Sequence, residues 1–130
     1  MFVRPLVYAA DGLPRPARPG DGVSNPQLTA LTADSNQTVT LSAVMGGIYK
    51  RTITSARTDT FPTAAAILAA CPSMDIGDSF LLLVNAIGNT LTLAGGVGFT
   101  DSGTLTVATT TSRWFLFTKT SATTMTLIGL

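Results

Sequence analysis

Threonine alternates with apolar residues through much of this chain, and this period of two constrains the fold more than any other feature. Of the 130 residues, 22 are threonine. Within residues 37–44, Val39, Leu41 and Ala43 occupy one set of alternate positions and polar residues occupy the other. Successive side chains of a strand point to opposite faces, so the alternation predicts half-buried strands. The first spans residues 37–44, and the pattern returns at residues 90–93, 104–107 and 124–128.

Two further segments carry large apolar residues at consecutive positions. Residues 80–84 read Phe-Leu-Leu-Leu-Val, and residues 113–119 read Arg-Trp-Phe-Leu-Phe-Thr-Lys. A short strand that is apolar at every position is typical of a strand covered on both sides. We therefore predict that residues 80–84 lie at the centre of the core and that Trp114 is a core residue.

The strand pattern is interrupted once by a helix signal. Asp59 or Thr60 can cap a helix through a side-chain oxygen, and Pro62 is tolerated in a first turn. An alanine-rich stretch follows and ends before a second proline. These signals predict one short helix at about residues 62–71. Cys71, the single cysteine, lies on its apolar face, and we interpret it as a buried small side chain rather than a reactive thiol.

Glycine-containing turns separate the predicted strands. Seven or eight short strands at roughly ten-residue spacing, with one inserted helix, predict a mainly β fold. We expect an antiparallel β-sandwich or jelly-roll-like domain over residues 36–130. Residues 48–54 form one of its strands, with Lys50 and Arg51 on opposite faces, which suits a sheet edge or a strand whose two sides both reach water.

Residues 1–35 differ from the rest of the chain. They hold five of the seven prolines, so neither a helix nor a central strand is expected to run through them. We predict an extended N-terminal arm. The arm also carries apolar residues flanked by arginines, a combination that suits a protein interface. We predict that it contacts a partner through Phe2, Val3, Arg4, Leu6, Val7, Tyr8, Leu13, Arg15 and Arg18.

The chain lacks the residues that most enzymes and metal sites use. It contains no histidine, and every acidic residue is an aspartate. A Ser-His-Asp triad and a histidine-ligated zinc site are therefore excluded. Asp75, Asp78 and Asp101 lie in predicted turns, where aspartate commonly bonds the backbone, and their spacing matches no calcium loop. We predict a protein that is not an enzyme, with no catalytic residue, no cofactor and no metal.

Composition excludes several classes of partner. Eight basic residues stand against seven acidic ones, so no charged field is available to hold nucleic acid. No apolar run approaches the length of a membrane span, so no membrane partner is expected. Charged residues are only 12% of the chain and the mean hydropathy is +0.39. Such a chain has little polar surface for a monomer, which favours permanent assembly with itself, as a homodimer or a homotrimer.

The order of several segments resembles a family of phage proteins. These segments are Gly46-Gly-Ile-Tyr-Lys-Arg-Thr52, Arg57-Thr-Asp-Thr-Phe-Pro-Thr-Ala-Ala-Ala-Ile67, Gly77-Asp-Ser-Phe80, Asn89-Thr-Leu-Thr-Leu-Ala-Gly-Gly-Val-Gly98 and Thr111-Ser-Arg-Trp-Phe115. Together they resemble a small β-domain of tailed-bacteriophage structural proteins, and in particular capsid cement or decoration proteins. Related β-domains also occur in head-fibre and tail-fibre proteins. The resemblance covers about two-thirds of the chain.

The resemblance implies a jelly-roll-like body that oligomerises on the outer surface of a capsid in the virion. It implies a non-enzymatic structural protein that binds the major capsid protein and cements neighbouring subunits. The alternative is a receptor- or glycan-binding module of a phage head or tail fibre. In that alternative the aromatic side chains of Tyr8, Tyr49 and Trp114 are candidates for stacking on sugars. A glycan is the less favoured ligand.

Overall fold

In a computed structural model of the chain, the structure describes residues 26–130 and, before them, the backbone of two short strands. The prediction of a mainly β chain is confirmed. Strands β1 and β2 pair with each other antiparallel. The elements in chain order are β1 Leu6–Tyr8, β2 Pro14–Pro16, β3 Gln27–Leu31, α1 Leu41–Gly46, β4 Gly47–Thr52, β5 Arg57–Thr60, α2 Ala64–Ala70, β6 Ser79–Ile87, β7 Leu91–Ala94, β8 Phe99–Gly103, β9 Thr106–Val107, β10 Thr111–Lys119 and β11 Met125–Gly129.

From β3 onward the strands form two sheets. The large sheet has the order β3-β4-β6-β10-β11-β8, and the small sheet has the order β5-β7-β9. The pairing is mixed rather than antiparallel, because β3–β4, β4–β6, β8–β11 and β5–β7 are parallel. Jelly rolls are antiparallel, so the jelly-roll part of the prediction is not confirmed. Parallel neighbours need crossover connections, which α1 supplies between β3 and β4 and α2 supplies between β4 and β6.

The core lies between the two sheets. Phe117 of β10 is at its centre, with ring centroids 5.0 Å from Phe61, 4.8 Å from Phe80 and 5.9 Å from Phe99. Aromatic rings at such spacings add favourable quadrupole contacts to the buried area. The predicted central position of residues 80–84 holds only at alternate residues: Leu82 and Val84 are in the core, whereas Leu81 and Leu83 lie on the opposite face of the sheet. The core residues of the two sheets include Leu82, Val84, Ala86, Leu91, Leu93, Phe115, Met125 and Leu127.

The predicted strand over residues 37–44 is wrong. Only Thr38 pairs, through one isolated bridge to the small sheet, and the chain then turns into α1. Thr40 is the N-cap of α1, and its hydroxyl accepts a hydrogen bond from the Ala43 amide at 3.2 Å. Threonine side chains that bond the local backbone favour a helix start over a strand ladder. Gly47 ends the helix at φ 93°, a left-handed conformation that glycine adopts readily.

The predicted helix near residues 62–71 is present as α2, Ala64–Ala70. It begins later than predicted because Thr63 is the N-cap, and its hydroxyl accepts a hydrogen bond from the Ala66 amide at 3.1 Å. The predicted caps, Asp59 and Thr60, are wrong, because both residues lie on strand β5. Cys71 follows the helix and is buried, as predicted. Burial raises the pKa of the Cys71 thiol. The thiol therefore stays protonated at neutral pH and acts as an apolar side chain.

Strand β3 lies within the range that the sequence assigns to the arm. It forms one edge of the large sheet and pairs in parallel with β4. Pro26 immediately precedes it, a position where proline removes no ladder hydrogen bond. The sheet therefore begins at Gln27 rather than at residue 36. Because β3 occupies the edge, β4 lies inside the sheet. Arg51 is fully buried, so β4 is neither an edge strand nor a strand with water on both sides, and both alternatives for residues 48–54 are wrong.

Arg51 of β4 is fully buried in a polar network that joins the two sheets. Its Nε lies 2.7 Å from Oδ2 of Asp59 on β5, and both side chains are fully buried. Its terminal nitrogens donate to the carbonyl oxygens of Ala33 at 2.7 Å and Ser35 at 2.6 Å. The Tyr49 hydroxyl donates to Asp59 at 2.8 Å. Burial, and then the Asp59 carboxylate, raise the pKa of Tyr49. The network therefore ties β4, β5 and the segment after β3 together.

An exposed cluster around Asp34 also holds the segment that follows β3. The Asp34 carboxylate accepts hydrogen bonds from the Thr54 hydroxyl, from the Thr54 amide at 3.2 Å and from Nε of Arg57 at 3.2 Å. The Thr54 hydroxyl, followed by the Arg57 guanidinium, lowers the pKa of Asp34 from 3.8 to about 2. Ionised Asp34 is thus favoured in the folded protein.

We expect Asp34→Asn to remove an acid-sensitive part of the stability. The folded pKa of Asp34 lies below the unfolded one, so its contribution is complete above pH 3.8 and is lost as the pH falls through about 2. Denaturant titrations of both proteins, from neutral pH down to about pH 2, measure the difference in the free energy of unfolding. The difference should shrink with acid. A difference that is constant over this range contradicts the assignment.

Candidate interaction face

A row of apolar side chains crosses the large sheet at one level of the strand register. From β3 to β10 the paired residues are Leu28, Ile48, Leu83 and Trp114. Leu130, just beyond β11, continues the row, because its amide donates to the Trp114 carbonyl at 3.0 Å. The next row, two residues along the strands, consists of Leu81, Leu116 and Ile128.

Both rows lie on the face of the large sheet that points away from the small sheet, which we call the outer face. The residues that alternate with them, such as Tyr49, Val84 and Phe115, are buried in the core, so the pleat directs the rows to the opposite side. Leu116 is buried as well, at 3% exposed, but does not belong to the core cluster. Its neighbours in the register on the outer face are Leu81 and Ile128, which are half-buried.

The outer face exposes large apolar side chains at both ends of the first row. Leu28 is 57% exposed at one end, and Trp114 and Leu130 are 47% and 55% exposed at the other. Between them, Ile48 and Leu83 are half-buried, and so are Leu81 and Ile128 of the second row. Single exposed apolar residues are ordinary on protein surfaces, whereas a contiguous patch marks a surface that binds something.

Polar rows border the apolar rows on both sides. On one side lie Ser79, Thr118 and Thr126, and the hydroxyls of Ser79 and Thr118 are 2.7 Å apart. On the other side lie Lys50, Asn85 and Ser112. Lys50 is the only charged side chain at an outward position of β3, β4, β6, β8, β10 and β11. An apolar, uncharged centre with a polar rim is the usual anatomy of a protein–protein interface.

The small sheet has the opposite character on its own outward face. Thr58, Thr92 and Thr106 are paired across β5, β7 and β9. Each of them alternates with a buried residue of the same strand, and Thr58 and Thr106 are exposed. Threonine hydroxyls are compatible with water, so this face needs no partner. The two sheets therefore divide the surface into a solvated threonine face and an apolar outer face.

Trp114 is not a core residue, and that prediction is wrong. Phe115 and Phe117 take the inward positions of β10, so the intervening tryptophan must point outward. Of the other aromatic candidates for stacking on sugars, Tyr49 is fully buried and cannot contact a ligand from outside. The side chain of Tyr8 lies outside the described residues.

The arm residues predicted to contact a partner are not brought to a site by the described structure. Phe2, Val3, Arg4, Leu13 and Arg18 lie outside the described residues, and Leu6, Val7, Tyr8 and Arg15 lie on β1 and β2, which are described by their backbone alone. Their contacts therefore stay a prediction. The arm leads into Gln27 of β3, so it joins the body beside Leu28 at the border of the outer face.

Two of the three aspartates predicted in turns bond the backbone through their carboxylates, although Asp101 lies on strand β8 rather than in a turn. Asp78 accepts from the Asp75 amide at 2.9 Å, and Asp101 accepts from the Gly95 amide at 3.0 Å. Within residues 26–130, no group of three or more aspartate or cysteine side chains is placed to share a metal ion. In the same part of the chain, neither helix has the length and apolarity needed to cross a membrane.

Sequence reasoning missed the outer face as a site, although a signal for it was present. The consecutive apolar residues of β6 and β10 predict strands covered on both sides, and the small sheet covers only the inner one. The outward residues Leu81, Leu83 and Leu116 therefore have no described layer packed over them. The missing information was which strands are neighbours, because only the register brings Leu28 and Ile48 into the same row.

The fold and this face define the chain as a mainly β protein of two sheets, one of which carries an apolar outer face with the anatomy of an interface. Comparison with protein-family models, with curated proteins and with solved structures finds no match.

Proposed function

We propose that the chain is a non-enzymatic virion structural protein that binds the outer surface of a phage capsid. In this role it cements neighbouring major capsid protein subunits. The observation that carries the proposal is the outer face, because an apolar surface of this extent is suited to permanent burial in an assembly. The resemblance to capsid cement proteins indicates which assembly this is.

The composition supports the same proposal. With charged residues at 12% of the chain, few side chains are available to keep an apolar face in water. The arm, which joins the body at the border of that face, adds apolar residues and arginines to the chain. The outer face and the arm are therefore two separate surfaces that an assembly can bury. Two linked attachments bind more tightly than either alone.

The proposal predicts that arm substitutions release the protein from capsids without unfolding it. Replacing Leu6 and Val7 together by aspartate puts two charges on predicted apolar anchors. We expect this variant to bind undecorated capsid shells at least about tenfold more weakly than the wild type, as loss of apolar anchors usually does. Co-sedimentation of full-length protein with the shells, over a range of protein concentrations, measures the change.

Val97→Asp is the matched control. Val97 is 82% exposed in a turn of the body, so the same type of substitution there should leave shell binding unchanged. Circular dichroism verifies that all three proteins are folded. If the folded wild type does not sediment with the shells, the capsid proposal is wrong.

Exposed Trp114 favours one second candidate, a glycan-binding module of a phage fibre. An indole on an open sheet face can stack on a sugar ring, and half of this one is accessible. Under this candidate, saccharides change the fluorescence of Trp114, and Trp114→Ala abolishes their binding. The Leu6 and Val7 double variant would still bind the sugar. A saccharide panel that leaves the fluorescence unchanged rejects this candidate.

A further inference from the structure

We propose that the outer face binds the outer face of a second copy of this chain, forming a homodimer of two packed large sheets. The role of the dimer rests on the proposed function. Dimerisation itself is measured without a capsid. Three properties of the outer face lead to this partner: its size, its lack of charge and its continuity with the arm.

The outer face is large enough for a small stable interface. Strands lie about 4.8 Å apart and rise about 3.3 Å per residue. Strands β3, β4, β6, β10 and β11 have 5, 6, 9, 9 and 5 residues, so their combined flat area is roughly 540 Å². Two copies together would bury roughly 1,080 Å², just above the roughly 1,000 Å² expected of a stable interface.

The charge pattern suits a copy of the same face. A surface with a single charged side chain has no pattern that requires an oppositely charged partner. Lys50 lies on the rim, outside both apolar rows, so stacking the two apolar centres does not force two lysines together there. Two sheets packed face to face at about 10 Å form an ordinary sandwich core. Trp114 and Leu116 would lie near the middle of that core.

Dimerisation would give each assembly two arms. Because β3 is an edge strand, the chain before Gln27 joins the body at the border of the outer face. A dimer therefore carries two arms, one joined to each copy. Each arm can bind a different capsid subunit, and the dimer then joins the two subunits. Such bivalent binding exceeds the affinity of one arm by roughly 100-fold or more where both sites can be reached.

The test uses Trp114, the single tryptophan, as a reporter in the wild-type protein. Light scattering across a dilution series measures the mass, which is 13.4 kDa for one copy and twice that for a dimer. Fluorescence of the same samples measures the exposure of Trp114. We expect the mass to fall with dilution while the emission maximum shifts to longer wavelength over the same concentrations.

Two other outcomes overturn the inference. A protein that dimerises with no change in Trp114 emission is joined through another surface. A protein that is a monomer at concentrations well above micromolar does not use this face for a second copy. If such a monomer shows Trp114 emission at short wavelength at every concentration, the chain's own arm covers the face.

Substitutions on the two sheets provide the matched comparison. Leu83→Arg and Leu28→Arg place a charge in the apolar row, at a half-buried central position and an exposed edge position. We expect each to raise the dimer dissociation constant, by roughly 100-fold for Leu83→Arg, because a buried unpaired charge opposes association. Thr92→Arg on the small sheet should leave the dissociation constant unchanged. If Leu28→Arg and Leu83→Arg both remain dimers while folded, the inference is wrong.

Shell binding separates this inference from the proposed function. A monomeric Leu83→Arg protein that still sediments with shells, but more weakly, agrees with both. A wild-type monomer that binds shells overturns the dimer alone. A wild-type dimer that ignores shells overturns the capsid proposal and leaves the dimer standing.

Discussion

Arg51→Ala is expected to lower the free energy of unfolding by about 3–5 kcal/mol, because it leaves a buried carboxylate without its counter-charge. Asp59 is fully buried, and Nε of Arg51, at 2.7 Å, is its only cationic partner among the described residues. The substitution also leaves the carbonyl oxygens of Ala33 and Ser35 without their guanidinium donors. Denaturant unfolding at one fixed protein concentration measures the loss.

Arg57→Ala is the control for this prediction. Arg57 also pairs with an aspartate, but its side chain is 28% exposed and that of Asp34 is 39% exposed. Exposed pairs contribute little because water screens both charges, so we expect a loss below about 1 kcal/mol. An Arg51→Ala protein as stable as Arg57→Ala would show that the buried network does not hold the sheets together.

Phe117→Ala is expected to cost about 3–5 kcal/mol through the cavity that it opens between the sheets. The Phe117 ring contacts those of Phe61, Phe80 and Phe99, which come from three different parts of the chain. No single one of these neighbours can move into the space without breaking its own contacts. Thermal or denaturant unfolding followed by circular dichroism measures the effect.

Two further substitutions calibrate the Phe117 result. Phe117→Leu retains much of the volume and should cost clearly less than the alanine variant. Val97→Ala removes an exposed apolar side chain and should change stability by less than about 0.5 kcal/mol. If Phe117→Ala unfolds at the same denaturant concentration as Val97→Ala, the core does not centre on this ring.

Local signals predicted those elements whose pattern has one structural solution. Consecutive apolar residues in 80–84 and 113–119 became the long neighbouring strands β6 and β10. The alanine-rich stretch before Pro72 became α2, because proline and threonine mark helix ends directly. The strand prediction for residues 37–44 was wrong because alternation in a short segment also fits a capped helix turn. The helix forms there because the Thr40 hydroxyl caps its start and Gly47 ends it. The spacing of the apolar residues reveals neither effect.

The candidate site was less predictable than the fold. The interface residues proposed from composition all lie in the arm, where prolines and apolar residues stand out in the sequence. The outer face is assembled from Leu28, Ile48, Leu83 and Trp114, which are distant in the sequence and ordinary one by one. Nothing in the local sequence indicated that Arg51 is buried, because its partner Asp59 belongs to the other sheet.

The sequence alone therefore determined that the chain is mainly β, where its long strands and α2 lie, and that Cys71 is buried. Each of these depends on residues within a few positions of one another, where side-chain periodicity and caps act. Only the tertiary structure decided the parallel pairings, the burial of Arg51 and the exposure of Trp114. These depend on which strand lies beside which and on where the small sheet packs, and the free energy of such contacts depends on residues that are far apart in the chain.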